Sequence, residues 1–193
     1  MNKQNYLLDL IKLDRTVFTT KDISLLWNCS DTDFIKEKLY RYAKSGKLFR
    51  IRKSIYSKDK NFNRNELAVK IFTPSYISFE TILSKEGLIF QYYSQIYAAC
   101  YQTKKLNIFN QEYIYRKIKN EILMNTSGIE NKNNYSIASK ERAFLDMLYI
   151  NKNFYFDNLS VLKWAKVFEL LPIYKNKTME KTVNKYYKEN KND

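Results

Sequence analysis

At Gly46 the apolar residues change from the 3.6-residue period of a helix to the alternation of a strand. Before it, in "TDFIKEKLYRYAKSG", Ile35, Leu39, Tyr42 and Ala43 share one face. After it, in "GKLFRIRKSIY", apolar Leu48, Phe49, Ile51, Ile55 and Tyr56 interleave with basic Lys47, Arg50, Arg52 and Lys53. Gly46 therefore reads as a helix stop and the stretch beyond it as a two-stranded hairpin. Four cations on a hairpin allow two explanations. One is a solvated edge. The other is a wing that lies against a phosphate backbone.

Two more helical patterns come first. In "NYLLDLIKL", the spacing of Leu7, Leu8, Ile11 and Leu13 predicts a helix over residues 4–13. In "TVFTTKDISLLWN", Thr20 is the expected N-cap of a second helix through Ile23, Leu26 and Trp27. Phe18, ahead of that cap, is expected to staple onto the helix or to form a short strand. Ser30 or Asp31 can cap the third helix. Three short helices followed by a hairpin is the order of a winged helix-turn-helix, with the third helix in the recognition position. Its outer face carries Lys36, Glu37, Tyr40, Arg41 and Lys44.

The placement of charge favours the wing. The whole chain carries a formal +14 and is rich in Asn, Ile, Tyr, Phe and Lys, which an AT-rich coding sequence alone would produce. Between Lys36 and Lys58, however, nine Lys or Arg residues stand against one acid, Glu37. The rest of the first 58 residues holds four basic and five acidic residues. Codon bias does not concentrate charge in this way. A basic helix face followed by a basic hairpin suits duplex DNA: Arg50, Arg52 and Lys53 for phosphate, with Lys36, Tyr40 and Arg41 for base edges. Lys44 and Lys47 continue the same basic surface. Asp31 and Asp33 would repel phosphate there, so they are expected to cap the helix.

Residues 57–66, "SKDKNFNRNE", read as a polar linker. Beyond it the texture is mixed. "ELAVKIFTPSYISFETILSKEGLI" holds two helical patterns separated by "TPSY", with Ser75 or Ser78 able to cap and Gly87 closing the second. "IYAACYQ", "KLNIF", "EYIYRKI" and "YSIAS" read as strands. "SKERAFLDMLYI", capped by Ser139, returns to a helix with Ala143, Phe144, Met147 and Leu148 on its apolar face. Further helices are expected around "NLSVLKWAKVFELL" and "MEKTVNKYYKENK". The expected fold class is α+β. An N-terminal winged helix-turn-helix over residues 1–58 is followed by a mixed α/β domain over residues 67–193.

Composition removes several chemistries. Without histidine there is no Ser-His-Asp or Cys-His catalysis and no His-ligated zinc. Two cysteines, Cys29 and Cys100, exclude a four-Cys metal site and read as free, small core residues. No cofactor is called for. No stretch reaches the ~20 apolar residues of a membrane span, and the N-terminal apolar run, broken by Asp9, is too short for a signal peptide. The expectation is a cytoplasmic protein with no membrane partner.

Three passages, "GKLFRIRKSIYS", "PSYISFETILSKEGLI" and "IASKERAFLDMLYI", resemble the AbiEi family. These are antitoxins and transcriptional repressors of type IV toxin–antitoxin (abortive infection) systems, whose toxins are nucleotidyltransferase-like. The resemblance covers roughly residues 15–150, with Lys53-Ser54 where such wings often carry glycine and Lys140 ahead of Glu141. It implies a non-enzymatic protein. The N-terminal module would bind promoter DNA at inverted repeats, as two copies. The C-terminal domain would neutralise the toxin. Glu80, Glu141, Arg142 and Asp146, the charged residues of the last two passages, are candidates for an antitoxin surface. They have a structural reading too, since Arg142 and Asp146 stand four apart on a helix and can pair. The alternative function is an enzyme that modifies nucleic acid or the toxin through these carboxylates.

Overall fold

A computed structural model describes residues 5–132 and 134–192. The chain is mixed α+β and divides into two compact units between Ile71 and Phe72.

The first unit runs α1 (Tyr6–Ile11), β1 (Val17–Thr19), α2 (Thr20–Leu26), α3 (Thr32–Lys44), β2 (Phe49–Arg52), β3 (Ile55–Ser57) and α4 (Arg64–Ile71). Its strands form an antiparallel sheet in the order β1-β3-β2. Its core gathers Leu10, Phe18, Ile23, Trp27, Ile35, Leu39, Leu48 and Tyr56. Each such side chain contributes about 1.5–3 kcal/mol on burial. Phe18 lies in a short strand, one of its two expected fates.

Local details shift. The first helix is shorter than residues 4–13, and Gln4 lies outside the described residues. Its buried face is Leu10 with Tyr6 and Leu7, while Leu8 and Ile11 are 42% and 49% exposed. Thr19, not Thr20, caps α2: its hydroxyl accepts from the Asp22 N–H, and Asp22 accepts from the Thr19 N–H at 2.9 Å. This reciprocal box satisfies amides that a helix start leaves unpaired.

The stretch expected as a linker is partly helix. Residues 64–66 begin α4, which belongs to the first unit, so that unit extends past Lys58 and residues 67–71 are not in the second. Two side chains explain why. Glu66, buried, accepts from the N–H groups of Thr16 at 2.7 Å and Val17 at 3.0 Å and from the Thr16 hydroxyl. Lys70 donates to Asp22 at 2.8 Å, tying α4 to the start of α2. Neither contact leaves a periodic signal in sequence.

The second unit is built on a six-stranded mixed sheet ordered β6-β7-β5-β4-β9-β8. Its strands are β4 (Ser75–Ile77), β5 (Ile96–Cys100), β6 (Lys104–Ile108), β7 (Gln111–Lys117), β8 (Ile129–Lys132) and β9 (Tyr135–Ala138). Its helices are α5 (Glu80–Lys85), α6 (Asn120–Leu123), α7 (Lys140–Ile150), α8 (Trp164–Leu170) and α9 (Lys177–Asn192), with a 3-10 turn over Leu171–Tyr174. β5, β6, β7, β9 and α7 fall where the pattern puts them. β4, β8 and α6 do not appear in the pattern. β4 is only three residues long, yet it joins β5 antiparallel on one side and β9 parallel on the other. Neither Ser75 nor Ser78 caps α5. The N-cap position is Phe79, with no side-chain cap bond, while Gly87 at φ 74° ends the helix as expected. α7 is buried from Glu141 to Leu148, all round rather than on one face. Both cysteines are free, Cys100 buried and Cys29 half-buried.

Candidate nucleic-acid interface

α3 is held firmly at both ends. Asp31 is its N-cap, the carboxylate accepting from the Asp33 and Phe34 N–H groups at 3.0 Å. At the other end Gly46 takes φ 70°, the Lys47 N–H reaches Tyr42 O at 2.9 Å, and the Gly46 N–H reaches Ala43 O at 3.2 Å. This is a Schellman closure, and it turns the chain directly into Leu48 and the hairpin. Ile35 and Leu39 face the core.

The eight residues read as DNA-binding are all exposed: Lys36, Tyr40, Arg41, Lys44, Lys47, Arg50, Arg52 and Lys53. Lys36, Tyr40 and Lys44, spaced by four, line one stripe of α3, with Arg41 beside it. On β2, Arg50 and Arg52 are exposed while Ile51 between them is buried. The hairpin turns through Lys53 and Ser54, with Ser54 in the left-handed region at φ 64°. The turn thus forms without the glycine that would adopt it at no cost. A neighbour that sequence reasoning left aside, Lys38, is not part of this stripe. Its ammonium sits 4.4 Å from the Tyr6 ring centre and 4.8 Å from that of Phe34.

Two acids on the same helix hold two of these cations. Lys36 pairs with Asp33 at 2.9 Å, and Arg41 pairs with Glu37. Asp33 therefore braces Lys36, while Asp31 does the capping. Both pairs are solvent-exposed and worth about 0.2–1 kcal/mol each, little enough for a polyanion to displace.

In the second unit, the four residues read as an antitoxin surface are all buried: Glu80, Glu141, Arg142 and Asp146. None forms an exposed patch. Arg142 and Asp146 make the expected i, i+4 pair, Nε to Oδ1 3.3 Å, with neither side chain exposed. Two buried charges persist only when their remaining bonds are made, and here they are. Arg142 donates to Ser127 O at 2.8 Å, Ile122 O at 2.7 Å and the Tyr76 hydroxyl at 3.1 Å. Asp146 accepts from the hydroxyls of Tyr174 at 2.7 Å, Ser78 at 2.8 Å and Tyr76 at 3.0 Å. Burial and the Asp146 charge hold both phenols well above their ordinary pKa, so they stay donors. Burial disfavours the Arg142 cation, yet Tyr174, Asp146 and Tyr76 hold its pKa above the usual value.

Glu80 pairs through one oxygen with Arg116, whose guanidinium lies 4.8 Å from the Tyr97 ring centre and 5.2 Å from that of Phe79. Its second oxygen is buried without a hydrogen-bond partner among the described residues. Tyr76, Ser78, Tyr174 and Arg116 were not legible as partners, because each contact spans 28 to 70 residues of sequence. Among the described residues no group of three or more Cys, Asp or Glu could hold a metal ion, and no helix is long and apolar enough to cross a membrane. Compared with known proteins, the chain matches no family model and no curated protein.

Proposed function

We propose that the chain is a DNA-binding autorepressor of the winged helix-turn-helix type, and the antitoxin of a type IV toxin–antitoxin pair with a nucleotidyltransferase-like toxin. One observation carries the first half. Eight exposed residues, seven of them cations, occupy the outer stripe of α3, the turn after it and the β2–β3 hairpin, in a unit whose first six elements run helix–strand–helix–helix–strand–strand. The sheet order β1-β3-β2 makes β2, which carries Arg50 and Arg52, an edge strand, and this supports reading the hairpin as a wing.

In this reading α3 enters the major groove. Lys36, Tyr40 and Arg41 meet base edges while Lys44, Lys47, Arg50, Arg52 and Lys53 meet phosphates. The contacts from Asp33 and Glu37 open as DNA binds. A single module of this kind buries about 600–1,000 Å², so specific repression uses two copies on an inverted repeat. The antitoxin half rests on the resemblance alone. Its surface is not the Glu80, Glu141, Arg142 and Asp146 set, because those side chains are inside the unit.

The test is a salt series of binding to the promoter duplex. Arg50→Ala with Arg52→Ala should weaken binding to any duplex. The slope of log K against log salt should fall by about 0.9 for each phosphate that the variant no longer neutralises. Equal slopes for parent and variant would take the hairpin out of the interface.

A further inference from the structure

In the second unit, a cavity of about 270 Å³ is lined by Lys85, Lys132, Lys140, Lys163 and Lys166, with Glu141 and two more glutamates. The lysines come from α5, β8, the first residue of α7, and the start of α8. Elements far apart in sequence thus bring five lysines to the wall of one concavity. Among the described residues none of the five forms an ion pair, although three carboxylates share the cavity. The lining thus carries five lysines against three glutamates, a net positive charge, and a concave site concentrates it.

Glu141 adds a second, independent feature. It is only 3% exposed. One oxygen accepts from the Lys163 N–H at 3.3 Å, and the other has no hydrogen-bond partner among the described residues. That oxygen is not sealed from solvent, so it is free to accept a hydrogen bond from a ligand or from water. The volume is near the lower end of the ~300–1,000 Å³ typical of small-molecule sites. It is too small for a helix or a nucleic-acid strand.

We propose that this cavity binds a small phosphate monoester that also carries hydroxyl groups, of the sugar-phosphate or mononucleotide class. The lysines take the phosphate dianion, and the free oxygen of Glu141 accepts from a hydroxyl. The site shares no residue with the basic face of α3, and its occupant is not duplex DNA.

The experiment is calorimetric titration of the full chain with ribose 5-phosphate, adenosine 5′-monophosphate, inorganic phosphate and ribose. Both phosphate monoesters bind, inorganic phosphate binds more weakly, and ribose does not bind. Lys132→Ala with Lys166→Ala, both exposed and dispensable for the core, weakens ribose 5-phosphate by about tenfold or more. Lys104→Ala with Lys188→Ala removes the same charge elsewhere and leaves binding unchanged. Glu141→Gln, which keeps the side-chain shape, weakens ribose 5-phosphate but not inorganic phosphate. No heat with either monoester, or equal weakening by the two lysine pairs, overturns the site. Equal affinity for inorganic phosphate and ribose 5-phosphate, unmoved by Glu141→Gln, overturns the ligand class.

Discussion

Arg142 and Asp146 show how a pair legible at one helical turn can mean something different once it is buried. On an exposed helix such a pair is worth a few tenths of a kcal/mol. Inside the second unit, removing one charge strands the other, at a cost of about 3–5 kcal/mol. Asp146→Asn should therefore lower the urea midpoint of the second unit strongly. Trp164 reports that unit and Trp27 the first, so the measurement is Trp164 fluorescence in a Trp27→Phe background. A midpoint equal to that of the background would mean the network does not hold the unit together. Asp22 gives a pH-dependent counterpart. Burial pushes its carboxyl up, but the bonds from Lys70 and Thr19 outweigh this and hold it below the usual 3.8. Its folded value is the lower one, so its contribution is fully present above 3.8 and is lost as pH falls through the folded value. Asp22→Asn should destabilise the chain near neutral pH and flatten the acid limb of thermal midpoint against pH. An acid limb as steep as the parent's would place the titration elsewhere.

At the level of elements, α4 is the part most easily misassigned. Its sequence follows a polar run and looks detached. Yet Glu66 pairs two backbone amides of the β1 segment, and Lys70 reaches Asp22. Leaving two such amides unpaired costs about 1–3 kcal/mol each. A fragment of residues 1–71 should melt cooperatively, whereas residues 1–58 should be markedly less stable or unfolded by circular dichroism. Equal melting temperatures would return α4 to the role of linker. α3 offers a second test. Glu37→Gln releases Arg41 and removes a negative charge from the proposed DNA face. It should tighten promoter binding by about two- to fivefold, the scale of one exposed pair. An unchanged affinity would argue that this face of α3 does not meet DNA.

Across the whole molecule, the larger unit has a six-stranded sheet and a core of its own, far more than a dimerisation hairpin needs. The antitoxin action proposed for it is tested by expressing the proposed toxin from an unrelated promoter, which takes repression out of the outcome. Residues 72–193 should rescue growth, and the full chain with Arg50→Ala and Arg52→Ala should rescue as well as the parent. If both fail while folded, the proposed antitoxin half is overturned.

The sequence by itself determined the elements whose residues carry a period. α3 and its Gly46 stop, the basic hairpin, β5 to β7, β9 and α7 all lie where periodicity and turn residues put them. It also determined which charges stand outside on α3 and the hairpin, since residues between apolar positions of an amphipathic element face solvent. Only the tertiary structure decided the rest. β4 is three residues long, too short for a pattern, and exists because β5 and β9 flank it. The boundary at Ile71 follows from Glu66 and Lys70, whose partners lie 48 to 50 residues away. Glu80, Glu141, Arg142 and Asp146 read as a candidate surface because they are the charged residues of the two passages that resemble the AbiEi family, with a structural pairing as the other reading. Asp146 and Arg142 lie inside because Tyr76, Ser78 and Tyr174 complete their bonds, and Glu80 lies inside with one oxygen paired to Arg116. A period is set by neighbours along the chain. Burial of a charge is set by whatever distant groups arrive to hydrogen-bond it, and no local pattern encodes them.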